Sequence, residues 1–281
     1  MNAPIISREE LAEWSRYIHG VCGVFLDESK GYLVETRLGS LLRDSGTTGW
    51  MELLRKAKTD PGTSLRFKII DAVTTNETSF FRDAAPFDLL RHKIFPELID
   101  RRVKSGLRSV PIRILSAACS TGQEAYSTAI VLKELLGDFR NYDIRILGLD
   151  ISDQAVAQAS YAHFSRLELE RGLAPGMLER YFEQAGTRWK LRDDVRSLAT
   201  FRRANLLEPL ATPYPFDVIF CRNVAIYFTE ADKIGLFRNL GRNLASDGAL
   251  IIGSTESITG LCPEFEPQRY LRSVFYTKKA G

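Results

Sequence analysis

The stretch Ile112–Asp150, IRILSAACSTGQEAYSTAIVLKELLGDFRNYDIRILGLD, leaves few folds open to this chain. Ile112–Ala117 is an apolar run with β-branched residues behind Pro111, the pattern of a buried strand. Ala118-Cys119-Ser120-Thr121-Gly122 follows, with small side chains that let a ligand approach the backbone. The periodicity then predicts a helix from about Gln123 to Leu136, its first N–H groups facing the turn. Ile144–Leu149 is a second strand and delivers Asp150 at its end. In an open α/β sheet this unit places a nucleoside in the crevice, with the acid accepting hydrogen bonds from ribose hydroxyls.

The turn also discriminates between cofactors. A dinucleotide site wants G-x-G-x-x-G, because a pyrophosphate must sit on bare helix N–H groups. Only Gly122 is present here, and Glu124 lies in the first helical turn, where it repels a pyrophosphate. The same carboxylate suits a cofactor with cationic groups, such as the sulfonium and amino group of S-adenosylmethionine. An ordinary βαβ unit with a capped helix is the competing reading of the segment alone.

Composition sets the scale and removes several classes. With 281 residues, 44% of them apolar, the chain can bury a sizeable core in one large domain or two smaller ones. No apolar run approaches membrane-spanning length, and MNAPIISREE has no signal-peptide pattern, so a cytoplasmic protein without membrane insertion is expected. Cys22, Cys119, Cys221 and Cys262 lack C-x-x-C spacing and there are three histidines, so neither a disulfide frame nor a metal site is expected. A net charge of +3 gives no ground for nucleic-acid binding.

Residues 1–85 read as a helical domain. Ser7 and Glu10 form a capping box before LAEWSRYIHGVCG, where Leu11, Trp14, Ile18 and Val21 fall at helical spacing. Tyr32–Leu42, Trp50–Ala57 and Leu65–Val73 add three amphipathic helices. Arg37 and Arg43 leave the apolar face of one of them, within a region of eight basic and four acidic residues from Lys30 to Lys68. That is either a solvated face or a basic strip.

Residues 86–281 read as a second domain, with a linker at 86–110. From Ile112 strands and helices alternate, which argues for a mainly parallel sheet. Phe216–Cys221 is a buried strand ending at Arg222-Asn223, Glu230–Leu244 a helix that terminates near Asp247-Gly248, and Ala249–Gly253 a further strand. RYLRSVFYTKK reads as a closing antiparallel pair. At about 161–204 the pattern breaks: Trp189–Arg192 and Leu198–Arg203 flank a turn at Asp193-Asp194 and suggest a small basic β subdomain. Such an insertion commonly handles a substrate or partner. Upstream, TTNETSFFR (Thr74–Arg82) mixes short polar residues with Phe80 and Phe81. It is either a capped helix start or a loop that binds a nucleoside's tail while the aromatics seal it.

Taken in order, TTNETSFFR, SAACSTGQEAYS, GLDIS, RRANLLEP, FDVIFCRNVAIYF and GALIIGSTES resemble the CheR family of chemotaxis receptor methyltransferases over nearly the whole chain. The resemblance implies an α/β fold: a Rossmann-like S-adenosylmethionine-dependent methyltransferase sheet with a helical N-terminal domain and an inserted β subdomain. It implies methyl transfer from S-adenosylmethionine to glutamates on the cytoplasmic methylation helices of a chemoreceptor, leaving S-adenosylhomocysteine. On matching positions it implies that Asn76, Thr78 and Arg82 contact the cofactor's methionine portion and the edge of the active site. Glu124 then meets the amino end, Asp150 the ribose, and Asn205 and Leu206 the adenine. Arg222 and Asn223 close the site under the sulfonium, and Tyr227 stands beside the methyl path at a helix start.

Two departures stand out. Where the family usually has CSTGEEPYS, Gln123 and Ala125 replace a glutamate and a proline, while Glu124 is kept. FEQAGTRWKLR also lacks the glycine run with which some members dock a receptor's C-terminal pentapeptide. Direct recognition of the methylation helices is therefore expected, with Arg37 and Arg43 gripping an acidic helix.

The implied chemistry needs few groups. A glutamate acceptor, with a reference pKa of about 4.3, is already an anion near neutrality and requires no general base. Desolvation and alignment remain, and positioning can be worth roughly 7–11 kcal/mol. Arg82, as the cation for the acceptor, and Tyr227, as a donor to its second oxygen, are the catalytic candidates. A nucleic-acid amino methyltransferase usually has Asp/Asn-Pro-Pro-aromatic where this chain has RNVAIYF. An S-adenosylmethionine-binding regulatory module without receptor methylation is the remaining alternative.

Overall fold

In the computed structural model, which describes residues 4–279, the N-terminal helices are α1 (Arg8–Cys22), α2 (Gly31–Asp44), α3 (Trp50–Thr59) and α4 (Ser64–Val73). The Ser7 hydroxyl accepts from the Glu10 N–H, and Glu10 accepts from the Ser7 N–H, so two otherwise unpaired donors are satisfied. Trp14, Ile18, Val34, Leu38, Trp50 and Ile70 share one buried core. Trp14 Nε1 donates to the Trp50 carbonyl at 3.1 Å.

The expected linker is helical instead. α5 (Ala84–Leu89) passes through a wide π-type turn at Leu90–Ile94 into α6 (Phe95–Lys104). Phe87, Leu90, Phe95 and Leu98 are buried in the same core as Ile112 and Ile114. Pro86 sits in the first turn of α5, where a missing N–H breaks no helical bond, and Pro96 follows directly on the wide turn that leads into α6.

β1 (Val110–Ala117), α7 (Gln123–Leu136) and β2 (Tyr142–Asp150) form the expected unit. After α8 (Asp153–Tyr161) comes a small antiparallel sheet of β3 (His163–Phe164), β4 (Phe182–Ala185) and β5 (Arg188–Leu191). Short helices α9 (Arg166–Glu170), α10 (Met177–Tyr181) and α11 (Asp193–Arg196) surround it. Ala185 pairs with Arg188, so only Gly186-Thr187 join β4 to β5. The chain continues through β6 (Ala199–Arg203), β7 (Phe216–Cys221), α12 (Glu230–Asn243), β8 (Leu244–Ile252), β9 (Phe265–Tyr270) and β10 (Ser273–Lys278).

The large sheet has the order β6-β2-β1-β7-β8-β10-β9. Its first five strands are parallel, and β10 is antiparallel to both neighbours. Alternation along each strand buries both faces: Ile112, Ile114 and Ile146 pack in one core with Ile130 of α7, while Leu115, Leu149 and Ile219 pack in another with Leu236 and Leu240 of α12.

Three local expectations change. Leu198–Arg203 does not belong to the inserted subdomain, because Ala199–Arg203 pairs in parallel with Ile146–Asp150 as the edge of the large sheet. An edge strand keeps polar residues on its open side, which made ATFRR read like a surface hairpin. Asp193-Asp194 begin the short helix α11, not a turn. Helix α12 stops at Asn243, and Asp247-Gly248 lie inside β8 at a register shift, where Phe216 pairs with Leu244 but Val218 with Ala249. Gly248 is required there, since a Cβ would lie 2.9 Å from the Phe216 carbonyl oxygen.

Candidate active site

The strand order reverses between β1 and β7, and ligands in open α/β sheets bind past the carboxyl ends of strands at such a point. A cavity of about 1320 Å³, counting its open mouth, lies there. Asn76, Thr78, Arg82, Glu124, Asp150, Asn205, Leu206, Arg222, Asn223 and Tyr227 all line it, although they come from five separate segments of the chain. Helix α2 contributes Arg37, so the helical domain forms part of the wall.

The turn after β1 holds Ala118, Ser120 and Gly122 in the left-handed region, with φ of 59, 49 and 92°. For alanine and serine this costs about 1–3 kcal/mol each unless the surroundings enforce it. Here they do: Cys119 N–H donates to the Leu149 carbonyl at 2.9 Å, Ser120 N–H to Asp150 Oδ2 at 2.8 Å, and Ser120 Oγ to the Asn76 carbonyl at 2.9 Å. The one glycine is explained by space as well as φ, because a Cβ on Gly122 would lie 3.0 Å from Ala159 and 3.2 Å from Phe201 and Tyr126.

Asp150 is 6% exposed, with Oδ2 on the Ser120 N–H and Oδ1 on the Ser152 N–H at 3.0 Å. Burial raises its pKa, and the N–H groups of Ser152, Ser120 and Ile151 pull it only part of the way back. Each carboxylate oxygen has a second lone pair, so the acid can still accept from cavity-side hydroxyls.

Glu124 accepts from Ser116 Oγ at 2.7 Å through Oε1 and from Arg222 Nη1 at 3.1 Å through Oε2. Arg222, 7% exposed, also donates through Nη2 to Asp83 Oδ2 at 2.7 Å and to the Arg82 carbonyl at 2.9 Å. Two carboxylates thus share one buried cation, which leaves one net negative charge beside the cavity. Arg222 links loop to sheet as well as lining the site. Its Nε is buried and has no partner among the described residues. Burial pushes the Cys119 and Cys221 thiols well up, with nearby carboxylates adding to the effect, so neither is a nucleophile near neutrality.

The TTNETSFFR loop is fixed from three sides. Phe81 N–H donates to Ser127 Oγ at 2.9 Å, and Arg82 Nη1 donates to the Glu77 carbonyl at 2.9 Å. Arg37 donates to the carbonyls of Val73 and Thr74 and to Thr75 Oγ1 at 3.0 Å. The segment is a loop and not a capped helix start, but the aromatics do not seal the cavity. Phe80 is buried edge-on to Phe164 and Phe182, with ring centroids 5.0 and 5.5 Å away, and Phe81 packs on Phe87. They anchor the loop in the core, which is where large apolar rings are most stable.

Nor do Arg37 and Arg43 form a strip. Six residues apart, they point about 120° from one another around the helix. Arg37 is turned inward onto the loop, and Arg43 is exposed. The basic subdomain is also largely neutralised: Lys190 pairs with Asp193 and Glu183, Arg196 with Asp193, and Arg188 with Glu168.

Asn205 closes a small turn, its Oδ1 accepting from the Leu207 N–H at 3.1 Å, beside buried Leu206. Asn223 has φ 57°, and its N–H donates to Glu256 Oε2 at 2.8 Å, as does the Gly253 N–H. Tyr227 stands on a 3-10 turn, Ala225–Tyr227, and its carbonyl accepts from the Phe25 N–H at 2.9 Å. Two supporting acids, Asp83 and Glu256, are absent from the residues read out of the sequence. Both lie within or beside quoted motifs, but their partners are 139 and 33 residues away.

The donor set fits S-adenosylmethionine: an acid at the end of β2 for vicinal hydroxyls, buried Leu206 for a base, and a net negative cluster for a cationic end. The family model described as "CheR methyltransferase, SAM binding domain" matches residues 76–271, and "CheR methyltransferase, all-alpha domain" matches residues 9–74. The chemotaxis protein methyltransferase of Vibrio anguillarum is 38% identical over 99% of this chain and 100% of its own length. Chemotaxis protein methyltransferase Cher2 of Pseudomonas putida is 35% identical over 94% of this chain and 95% of its own. A solved glycopeptide N-methyltransferase, MtfA with S-adenosyl-L-homocysteine, has a TM-score of 0.34 at 17% identity, covering 64% of this chain and 58% of its own.

Proposed function

This chain belongs to the CheR methyltransferase family, and on that premise we propose that it methylates glutamate side chains on the cytoplasmic helices of a chemoreceptor. The enzyme class is an S-adenosylmethionine-dependent methyltransferase of chemotaxis. The observation that carries the finer reading is the gathering of Asp150, Glu124, Arg82 and Tyr227 around one cavity at the switch point of the sheet.

Bound there, S-adenosylmethionine supplies a methyl group activated by its sulfonium. Asp150 accepts from ribose hydroxyls while the Ser120 and Ser152 N–H groups fix its orientation. Glu124, partly neutralised by Arg222, faces the cofactor's amino end. Asn76 and Thr78 border the methionine portion, and Asn205 and Leu206 the adenine. Arg82 gives one donor to the Glu77 carbonyl and offers the rest of its fork to the acceptor carboxylate. Its grip must stay moderate, because equal stabilisation of ground and transition states gains no rate. The Tyr227 hydroxyl donates to the second acceptor oxygen.

No proton has to be removed from a carboxylate acceptor. Consistent with this, His19 pairs with Asp232 and His163 stacks on Tyr161, neither among the cavity-lining residues. The two-residue hairpin at Gly186-Thr187 offers no long loop for a receptor tail, which supports direct recognition of the methylation helices. Arg43, exposed on α2, remains as a contact for an acidic helix. No helix among the described residues is long and apolar enough to cross a membrane, and we place the protein in the cytoplasm beside its acceptor. Transfer of tritiated methyl groups into receptor cytoplasmic fragments, followed by mapping of base-labile esters, tests this reading. Binding of S-adenosylhomocysteine without transfer to any fragment would instead indicate a regulatory module.

A further inference from the structure

We infer that Asp83 is a positioning residue for methyl transfer, acting through Arg222 on Arg82; this rests on the proposed grip of Arg82 on the acceptor. Arg222 Nη2 donates to the Asp83 carboxylate at 2.7 Å and to the Arg82 carbonyl at 2.9 Å, so one nitrogen clamps two consecutive residues. The backbone it clamps is strained on both sides of Arg82, with φ of 49° at Phe81 and 56° at Asp83. Among the described residues the Arg82 side chain is braced only by the Glu77 carbonyl at 2.9 Å, so the peptide held by Arg222 decides where its remaining donors point. The Arg222 side chain is 3% exposed and that of Asp83 44%, which makes Asp83 the outer end of a chain running inward to Glu124. Without the Asp83 charge, Arg222 is drawn toward Glu124 and only the Arg82 carbonyl still ties it to the loop, so the residue that faces the acceptor is held less firmly.

A purely structural role would lower the melting temperature and weaken both substrates together. A positioning role lowers kcat and leaves the cofactor site largely in place. The experiment compares wild type, Asp83→Asn, Asp83→Glu, Arg82→Ala and the Asp83→Asn/Arg82→Ala double variant. Methyl transfer to a receptor cytoplasmic fragment gives kcat and KM, and calorimetry gives S-adenosylhomocysteine affinity. Loss of one charge-assisted hydrogen bond is expected to lower kcat of Asp83→Asn about tenfold or more, with affinity changed by less. Asp83→Glu, which keeps the charge, is expected to recover part of that loss, and the double variant to be no slower than Arg82→Ala. Unchanged kcat, additive losses, no recovery with glutamate, or an affinity loss as large as the kcat loss would each overturn the role. A wild-type protein that methylates no receptor fragment would bring down the functional reading and the role with it. Normal wild-type transfer with an additive cycle would bring down the role alone.

Discussion

Asp150→Asn and Asp150→Ala together weigh the two tasks that the geometry gives Asp150 against each other. Its oxygens fix the Ser120 and Ser152 N–H groups, and their remaining lone pairs face the cavity. Asparagine replaces one oxygen with an NH2 donor and loses the charge, so one of the two N–H groups loses its acceptor and a charge-assisted hydrogen bond to ribose, worth about 1.5–3 kcal/mol, is lost. S-adenosylhomocysteine affinity should then fall roughly ten- to hundredfold. Asp150→Ala removes the acceptor from two buried N–H groups, at about 1–3 kcal/mol each, and should lower the melting temperature on the order of 10 °C. Calorimetry and thermal melting read the two effects separately. If Asp150→Asn binds S-adenosylhomocysteine as tightly as wild type while melting lower, the acid is a turn clamp and has no part in the ribose site. The same residue gives a pH signature. Burial raises its pKa above the ordinary 3.8, so the unliganded fold gains stability from its protonation on the acid side of the raised value and none above it. The binding form is ionised, so affinity should weaken as pH falls, starting above 3.8. An affinity flat down to that pH would contradict the assignment.

Three further outcomes are expected. Glu124→Gln leaves Arg222 with a single carboxylate and removes the negative charge at the amino end, so calorimetry should show weaker cofactor binding in a protein that still folds. Arg37→Glu should weaken cofactor binding by releasing the Val73 and Thr74 carbonyls and the Thr75 hydroxyl, whereas Arg43→Glu should leave it unchanged and raise KM for the receptor fragment at low salt. Burial pushes the Asp232 carboxyl up, but Thr229 and His19 outweigh it and hold it below the usual 3.8. A lowered carboxyl stabilises the fold above 3.8 and loses that contribution as pH falls through its folded value, so Asp232→Asn should show less acid destabilisation in melting curves than wild type.

What was legible in the sequence is what short-range pattern encodes. The β1–α7–β2 unit could be read because its apolar run, small-residue turn and terminal acid are contiguous. The other candidate residues come from the family resemblance, and the structure gathers them around one cavity past the strand ends of the sheet. The α5–α6 run reads as a linker in the sequence, since what fixes it, the packing of Phe87, Leu90, Phe95 and Leu98 in one core with Ile112 and Ile114, is tertiary. The edge strand β6 was assigned to the insertion because its open face carries arginines. Whether Phe80 and Phe81 seal a cavity or anchor a loop stays open in the sequence, which does not say which side of a loop meets the core. Above all, the partners of Arg222 lie 98 and 139 residues away, and no local spacing reveals that Glu124 and Asp83 share its charge.

The decisive measurement is methyl transfer from tritiated S-adenosylmethionine into purified chemoreceptor cytoplasmic fragments, with the product treated with base. Label that enters the fragment, is released as methanol and is lost when the acceptor glutamates are changed to alanine is the predicted result. Label that resists base, or a protein that binds S-adenosylhomocysteine yet labels no fragment, would contradict glutamate O-methylation.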